Sequence, residues 1–142
     1  MEQLIRDITE ITRCGTQYRT EHLTQMGLKS CHASYLTEIC AHPGISQEKL
    51  AGRICINKSN VARQAVALEE GGFVTRVPCE EDRRVMRLYP TEKTLALLPR
   101  IQKILDAWSG YLTQDLLDEE KAQLGRILAK MKERAVARKE EM

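Results

Sequence analysis

The sequence predicts a mainly α protein with one small β-hairpin, organised as a compact helix-helix-hairpin unit between long helices at the two ends. Three observations carry this prediction. Apolar residues recur at helical steps of three and four near both ends. Two short, cappable segments in the middle are separated by about four residues, the spacing of a helix-turn-helix. Two β-branched or apolar runs flank the polar stretch from Cys79 to Arg84, which reads as a hairpin with a charged tip.

Taken in order, Leu4, Ile8, Ile11, Gly15, Tyr18 and His22 alternate by four and three, the seam of a long helix that Gly27 ends. A second helix is predicted to start at Ser30, whose hydroxyl would cap it. It turns Tyr35, Leu36 and Ile39 inward and stops at His42-Pro43-Gly44. Ser46 is the N-cap expected for a short third helix; Lys49 stands three residues on, so no reciprocal capping box forms. Asn57 caps a fourth helix with Val61, Ala65 and Leu68 inward, closed by Gly71-Gly72. The hairpin strands are Phe73–Val77 and Val85–Tyr89. Thr91 caps a helix carrying Leu98, Ile101, Leu105, Trp108 and Leu112, in which Pro99 should kink or break the first turns. A last helix carries Leu117, Leu124, Leu128, Met131 and Ala135, with a tail from Arg134 to Met142 expected to fray.

Composition narrows the function classes. At 142 residues, 42% hydrophobic and 30% charged, the chain suits one ordinary domain with a real core. It contains no run of the roughly 18 to 20 apolar residues that a membrane span needs, and its first residues do not read as a signal peptide. The expected location is cytoplasmic. Five scattered cysteines without CxxC spacing argue against a disulfide framework or a zinc ribbon. Cys31, His32, Cys40 and His42 are soft-metal ligand types, but their spacing fits no compact tetrahedral site, so no metal and no cofactor is expected. No phosphate-binding loop or nucleophile-base motif is apparent, and an enzyme is not expected.

Net charge is only +2, yet its position is informative. Between Ser46 and Pro90 eight basic residues face six acids, so the rest of the chain balances at 14 of each sign. Acids gather at Glu69-Glu70 and at Glu80-Glu81-Asp82, leaving Lys58 to Arg63 locally cationic. A helix reads a major groove through exposed side chains at its N-terminal end that offer donors and acceptors together. With Val61, Ala65 and Leu68 turned inward, Lys58, Ser59, Asn60, Arg63 and Gln64 fall on or near the opposite face. Asn and Gln suit adenine edges, Arg and Lys suit guanine, and Ser serves either. At the hairpin tip, Asp82 can fix an arginine that enters a narrow minor groove, with Arg76, Arg83 and Arg87 towards phosphates. Ser46 and Gln47, opening the preceding helix, complete the candidate DNA-contacting set.

The first helix, about 37 Å long at 1.5 Å per residue, exceeds what a core of this size needs. Its seam and that of the last helix are expected to be completed by a second chain, the alternative being an intramolecular bundle.

These motifs resemble the MarR family of bacterial winged helix-turn-helix transcription regulators. The resemblance rests on Pro43-Gly44-Ile45-Ser46-Gln47-Glu48-Lys49-Leu50-Ala51, on Asn57-Lys58-Ser59-Asn60-Val61-Ala62-Arg63, and on Leu68-Glu69-Glu70-Gly71-Gly72-Phe73-Val74-Thr75-Arg76. It closes with Glu81-Asp82-Arg83-Arg84 and Pro90-Thr91-Glu92-Lys93, so it is specific over about residues 43 to 94. It implies a homodimer: dimerisation helices at 1–28 and 93–142, and a winged helix-turn-helix at 29–92 that reads a pseudo-palindromic operator in double-stranded DNA. It also implies that Asp82 and Arg84 form the wing's D-x-R pair, with Arg84 in the minor groove. Thr94 stands where the family usually has glycine, and Pro99 interrupts the following helix.

The resemblance further implies a repressor released by a small phenolic or other lipophilic effector, for which Tyr18, His22, His32 and Tyr35 are the nearest aromatic and imidazole candidates. Cys14 falls on the first helix, where peroxide-sensing relatives keep a reactive cysteine, so thiol-based oxidation sensing is one alternative. A winged-helix protein-interaction module without DNA affinity is the other.

Overall fold

The computed structural model describes residues 2–141 and bears out the mainly helical architecture with its small antiparallel wing. Helix α1 spans Glu2–Leu23 and passes through a 3₁₀ turn, Thr24–Met26, to a left-handed Gly27 at φ 78°. Then follow α2 (His32–Ala41), β1 (Ile45–Ser46), α3 (Gln47–Ile54), α4 (Lys58–Glu70), β2 (Val74–Pro78), β3 (Met86–Pro90), α5 (Glu92–Leu112) and α6 (Asp118–Glu140).

Two of the expected caps close as the residue types dictate. Ser46 Oγ accepts from the Lys49 N–H at 3.1 Å and Asn57 Oδ1 from the Asn60 N–H at 2.8 Å, each satisfying a first-turn donor that has no partner inside the helix. Between those helices Cys55 takes the left-handed conformation, φ 58°, the single non-glycine residue to do so among the described residues. That geometry closes α3, with the Cys55 N–H on the Ala51 carbonyl.

Other expectations are corrected. Ser30 does not cap α2: the helix begins two residues later, at His32, and Cys31 at its N-cap position makes no side-chain bond. The local donor is instead the Lys29 N–H, which reaches His32 Nδ1 at 3.0 Å. Pro99 does not break α5, which runs through it unbroken; the carbonyl that its missing N–H leaves over belongs to exposed Leu95, where water can serve. The chain from Arg134 to Glu140 does not fray but stays helical, because Ala, Arg, Lys and Glu favour helix and Arg138 and Lys139 complement its C-terminal dipole. Met142 lies outside the described residues. Leu117 is the N-cap of α6 rather than part of it, and its N–H is taken by Glu120 Oε1 at 2.9 Å.

The sheet has order β1-β3-β2, all antiparallel, with Ile45 opposite Leu88 and Arg76 opposite Leu88 from the other side. β1, only two residues long, carries no strand signal of its own in the sequence. The described residues form two compact units, one running to Asp106 and one from Ala107, so the division falls within α5. In the first unit a core of Leu23, Tyr35, Leu36, Ile39, Leu50, Val61, Leu68, Phe73, Leu88 and Ile101 gathers helices and sheet. Thr94 is buried there and donates from Oγ1 to the Phe73 carbonyl at 2.6 Å, which gives this hydroxyl a structural task. α1 in that unit still exposes Leu4, Ile5, Ile8 and Ile11. In the second unit α6 buries nothing and exposes Leu124, Ile127 and Leu128. No helix among the described residues is long and apolar enough to cross a membrane.

Candidate nucleic-acid interface

The core pins α4 through Val61, Ala65 and Leu68, and the 100° step of a helix then decides where the remaining side chains go. Lys58, Ser59 and Arg63 are exposed and Asn60 half-buried at the N-terminal end. Gln47, Glu48, Lys58, Ser59, Ala62, Arg84, Val85 and Met86 line one open groove, which therefore joins the starts of α3 and α4 to the wing. Ala62, the smallest side chain among them, leaves its floor accessible.

Several polar groups in this region are already engaged. Lys58 Nζ lies 2.7 Å from Glu48 Oε1, and that ammonium holds the Glu48 carboxyl below its ordinary value. Ser59 Oγ donates to Asn57 Oδ1 at 2.9 Å. Arg63 reaches Asn60 Oδ1 at 3.5 Å, a long contact that costs little to give up for a base. These are exposed pairs, readily exchanged for phosphate or base partners.

At the wing, Asp82 grips Arg84 twice: Nε donates to Oδ1 at 3.1 Å and Nη2 to Oδ2 at 3.2 Å, with the Arg84 N–H also on Oδ1. This fork lowers the Asp82 pKa and fixes an otherwise mobile guanidinium. The Arg84 side chain remains 91% exposed, so the carboxylate orients the arginine without hiding it. Arg83 beside it is exposed and unpaired among the described residues.

Arg76 and Arg87 are placed differently. Arg76 is mostly covered: its Nε donates to Gln47 Oε1 at 3.2 Å, its Nη1 lies 3.4 Å from Glu69 Oε1, and its N–H meets Glu69 Oε2. It braces β2 against α4 and the start of α3, and it occupies Gln47. Arg87 Nη1 donates to the Gly44 carbonyl at 3.1 Å and Nη2 approaches Cys79 Sγ at 3.7 Å. The Cys79 thiol is pulled below its ordinary value by the Asp82 and Glu81 backbone N–H groups and by Arg87. Gln64 is not on the outward face: 60° from Val61 around the helix, it is half-buried with Oε1 2.8 Å from His32 Nε2. Apart from the contacts of Cys79 with Glu81 and Asp82, none of these links is legible from spacing, since each partner lies seven or more residues away.

The four aromatic and imidazole candidates form two pairs. Tyr18 and His22 meet on α1 with centroids 4.2 Å apart and ring planes tilted by 37°, and the Tyr18 hydroxyl donates to the Ile104 carbonyl at 3.0 Å. His32 and Tyr35 meet edge to face at 6.2 Å on α2. Tyr35 is wholly buried, which raises its pKa, and its hydroxyl has no hydrogen-bond partner among the described residues. Cys14 is exposed on α1. No group of three His, Cys, Asp or Glu side chains suited to a metal occurs among the described residues.

The model of the MarR family matches residues 30–86, the segment that contains the helix-turn-helix and most of the wing. Residues 30–86 thus carry a domain of the MarR family of transcriptional regulators. Relatives extend the likeness over nearly its whole length. The uncharacterized HTH-type transcriptional regulator YybA of Bacillus subtilis (strain 168) is 27% identical over 93% of this chain and 88% of its own. A MarR transcriptional regulator from Methanosarcina mazei Go1 superposes with TM-score 0.91 at 28% identity, covering 96% of this chain and 99% of that one. A Listeria monocytogenes protein assigned to the same family, solved in complex with a 26mer DNA, gives TM-score 0.89 at 26% identity over 94% of this chain and 89% of that one. In the MarR frame, α3 and α4 are the helix-turn-helix and β2 and β3 the wing.

Proposed function

We propose that the chain acts as a cytoplasmic homodimer that binds a pseudo-palindromic operator in double-stranded DNA and represses transcription until a small phenolic or lipophilic effector releases it. The observation that carries the DNA part is the single groove shared by Lys58 and Ser59 of α4 and by Arg84 of the wing, with Arg84 oriented yet exposed. Lys58, Ser59, Asn60 and Arg63 are the base or phosphate contacts from α4; Arg84 enters the minor groove and Arg83 meets a phosphate. Ser46 and Gln47 stand at the N-terminus of α3, where the helix dipole favours a phosphate. Arg76, Asp82 and Arg87 hold the wing in position. The DNA complex of the Listeria relative supports this reading.

Residues 29–92 form the DNA-binding part and 1–28 and 93–142 the dimerisation parts, a division supported by the apolar side chains exposed on α1 and α6. The effector would meet the Tyr18–His22 pair and the His32–Tyr35 pair. The test is duplex binding as a function of salt. Each neutralised phosphate contributes about −0.9 to the slope of log K against log salt, so a slope of several units is expected. A flat profile would favour the protein-interaction module instead.

A further inference from the structure

The link between α2 and α4 has a definite protonation state. His32, the first residue of α2, is buried, and both ring nitrogens are engaged. The Lys29 backbone N–H lies 3.0 Å from Nδ1, and an amide N–H can only donate, so Nδ1 must be the bare acceptor. The ring proton then sits on Nε2 and is donated to Gln64 Oε1 at 2.8 Å. This fixes the Gln64 amide with its oxygen inward and its NH₂ away from the ring. Gln64 immediately follows Arg63 and lies one helical turn after Asn60.

We propose that His32 is a positioning residue for α4: its neutral Nε2–H tautomer, set by the Lys29 backbone, pins Gln64 and so holds the DNA-contacting end of the helix in place, and an added proton on Nδ1 repels the Lys29 N–H, displaces the ring and carries Gln64 with it. This rests on the DNA-binding reading above. A second proton would have to go on Nδ1, donor against donor with the Lys29 N–H. The surroundings also resist charge: burial first and the Lys29 ammonium as well lower the His32 pKa, outweighing the Gln64 bond. Tyr35 of the same helix meets the ring edge to face, and the charges of Cys31 and, from α4, Arg63 act on that Tyr35 hydroxyl. None of the ion pairs among the described residues gives His32 a carboxylate.

The sign follows. Folded His32 takes up a proton less readily than unfolded His32, so its contribution is complete above the ordinary value of 6.5 and declines as pH falls below it. Added positive charge would by itself strengthen binding to DNA, so a loss of affinity on acidification runs against that general trend.

The test combines ¹⁵N NMR titration of the His32 ring in the full chain with affinity for a labelled duplex carrying the best site recovered from random DNA, between about pH 7.5 and 5. The wild type should titrate below 6.5, and affinity should fall roughly tenfold on acidification, the scale of one broken hydrogen bond to a charged group. His32→Gln, which keeps a donor but cannot titrate, should remove the acid loss. Gln64→Glu supplies a carboxylate to the same Nε2–H and should move the His32 midpoint and the affinity midpoint up together. A wild-type ring titrating at or above 6.5, or an acid loss unchanged in His32→Gln, overturns the proposal. If His32→Gln does not fold, the wild-type and Gln64→Glu titrations decide. Absence of duplex binding at neutral pH would instead sink the DNA-binding reading and the role proposed for the link.

Discussion

Asn57 is one residue on which the stability of α4 and its proposed contact with DNA both depend. Its Oδ1 accepts the Asn60 N–H at 2.8 Å and the Ser59 hydroxyl at 2.9 Å, so Asn57→Ala leaves a first-turn N–H without its partner. Loss of such a cap costs about 1 kcal/mol, within roughly 0.5–2. For a chain of this size that corresponds to a fall of roughly 2–5 °C in Tm. Urea denaturation at one fixed protomer concentration measures it, since dimerisation makes apparent stability concentration-dependent. Asn57→Asp keeps the acceptor and suits the helix dipole, so its stability should stay near wild type. In the proposed binding mode that carboxylate would stand where DNA phosphates approach Lys58 and Ser59, so duplex affinity should fall while Tm holds. If Asn57→Ala were as stable as the wild type, or if Asn57→Asp bound DNA undiminished, the assignment of this helix end as a capped DNA contact would be wrong.

Three further outcomes are expected. Arg84→Ala should leave Tm and dimer mass unchanged, because the side chain is 91% exposed, yet weaken duplex binding and make the salt slope shallower by about 0.9 for each phosphate that is no longer neutralised. Undiminished affinity would remove Arg84 from the interface. Cys55→Gly should stabilise the chain by about 0.5–1 kcal/mol in urea, because a side chain at φ 58° costs roughly 1–2 kcal/mol that glycine's extra unfolded-state freedom only partly offsets. Cys55→Val should be less stable than the wild type, and the opposite order would show that the turn is unstrained. Leu128→Glu, on the exposed apolar side of α6, should shift sedimentation from dimer towards monomer; an unchanged mass would place the dimer contact elsewhere.

The parts of the fold that sequence reveals are those governed by local chemistry. Ser46 and Asn57 cap because a short side-chain oxygen at that position reaches its own helix, and Gly27 and Gly71-Gly72 end helices for equally local reasons. The hairpin is visible because Phe73 to Val77 and Val85 to Tyr89 flank a polar tip. The features that sequence misplaces depend on what lies across space. β1 exists only because Ile45 pairs with Leu88. Ser30 does not cap because α2 begins only at His32, whose ring is held from α4 by Gln64. Pro99 is tolerated where the carbonyl it orphans belongs to an exposed residue, Leu95. Within the site, Lys58, Ser59, Arg63 and Arg84 are exposed as expected. Arg76, Arg87 and Gln64 look identical to them in sequence, but Glu69, Gly44 and His32 claim them from other elements.

The central claim is that two copies of this groove read DNA symmetrically. Selection of bound duplexes from a random pool by the purified chain tests it most directly. An inverted repeat should be recovered, with half-sites about one helical turn apart and base preferences that relax at defined positions when Asn60 or Arg63 is replaced. Recovery of no enriched sequence, or of a single unrepeated element unaffected by those replacements, would contradict it.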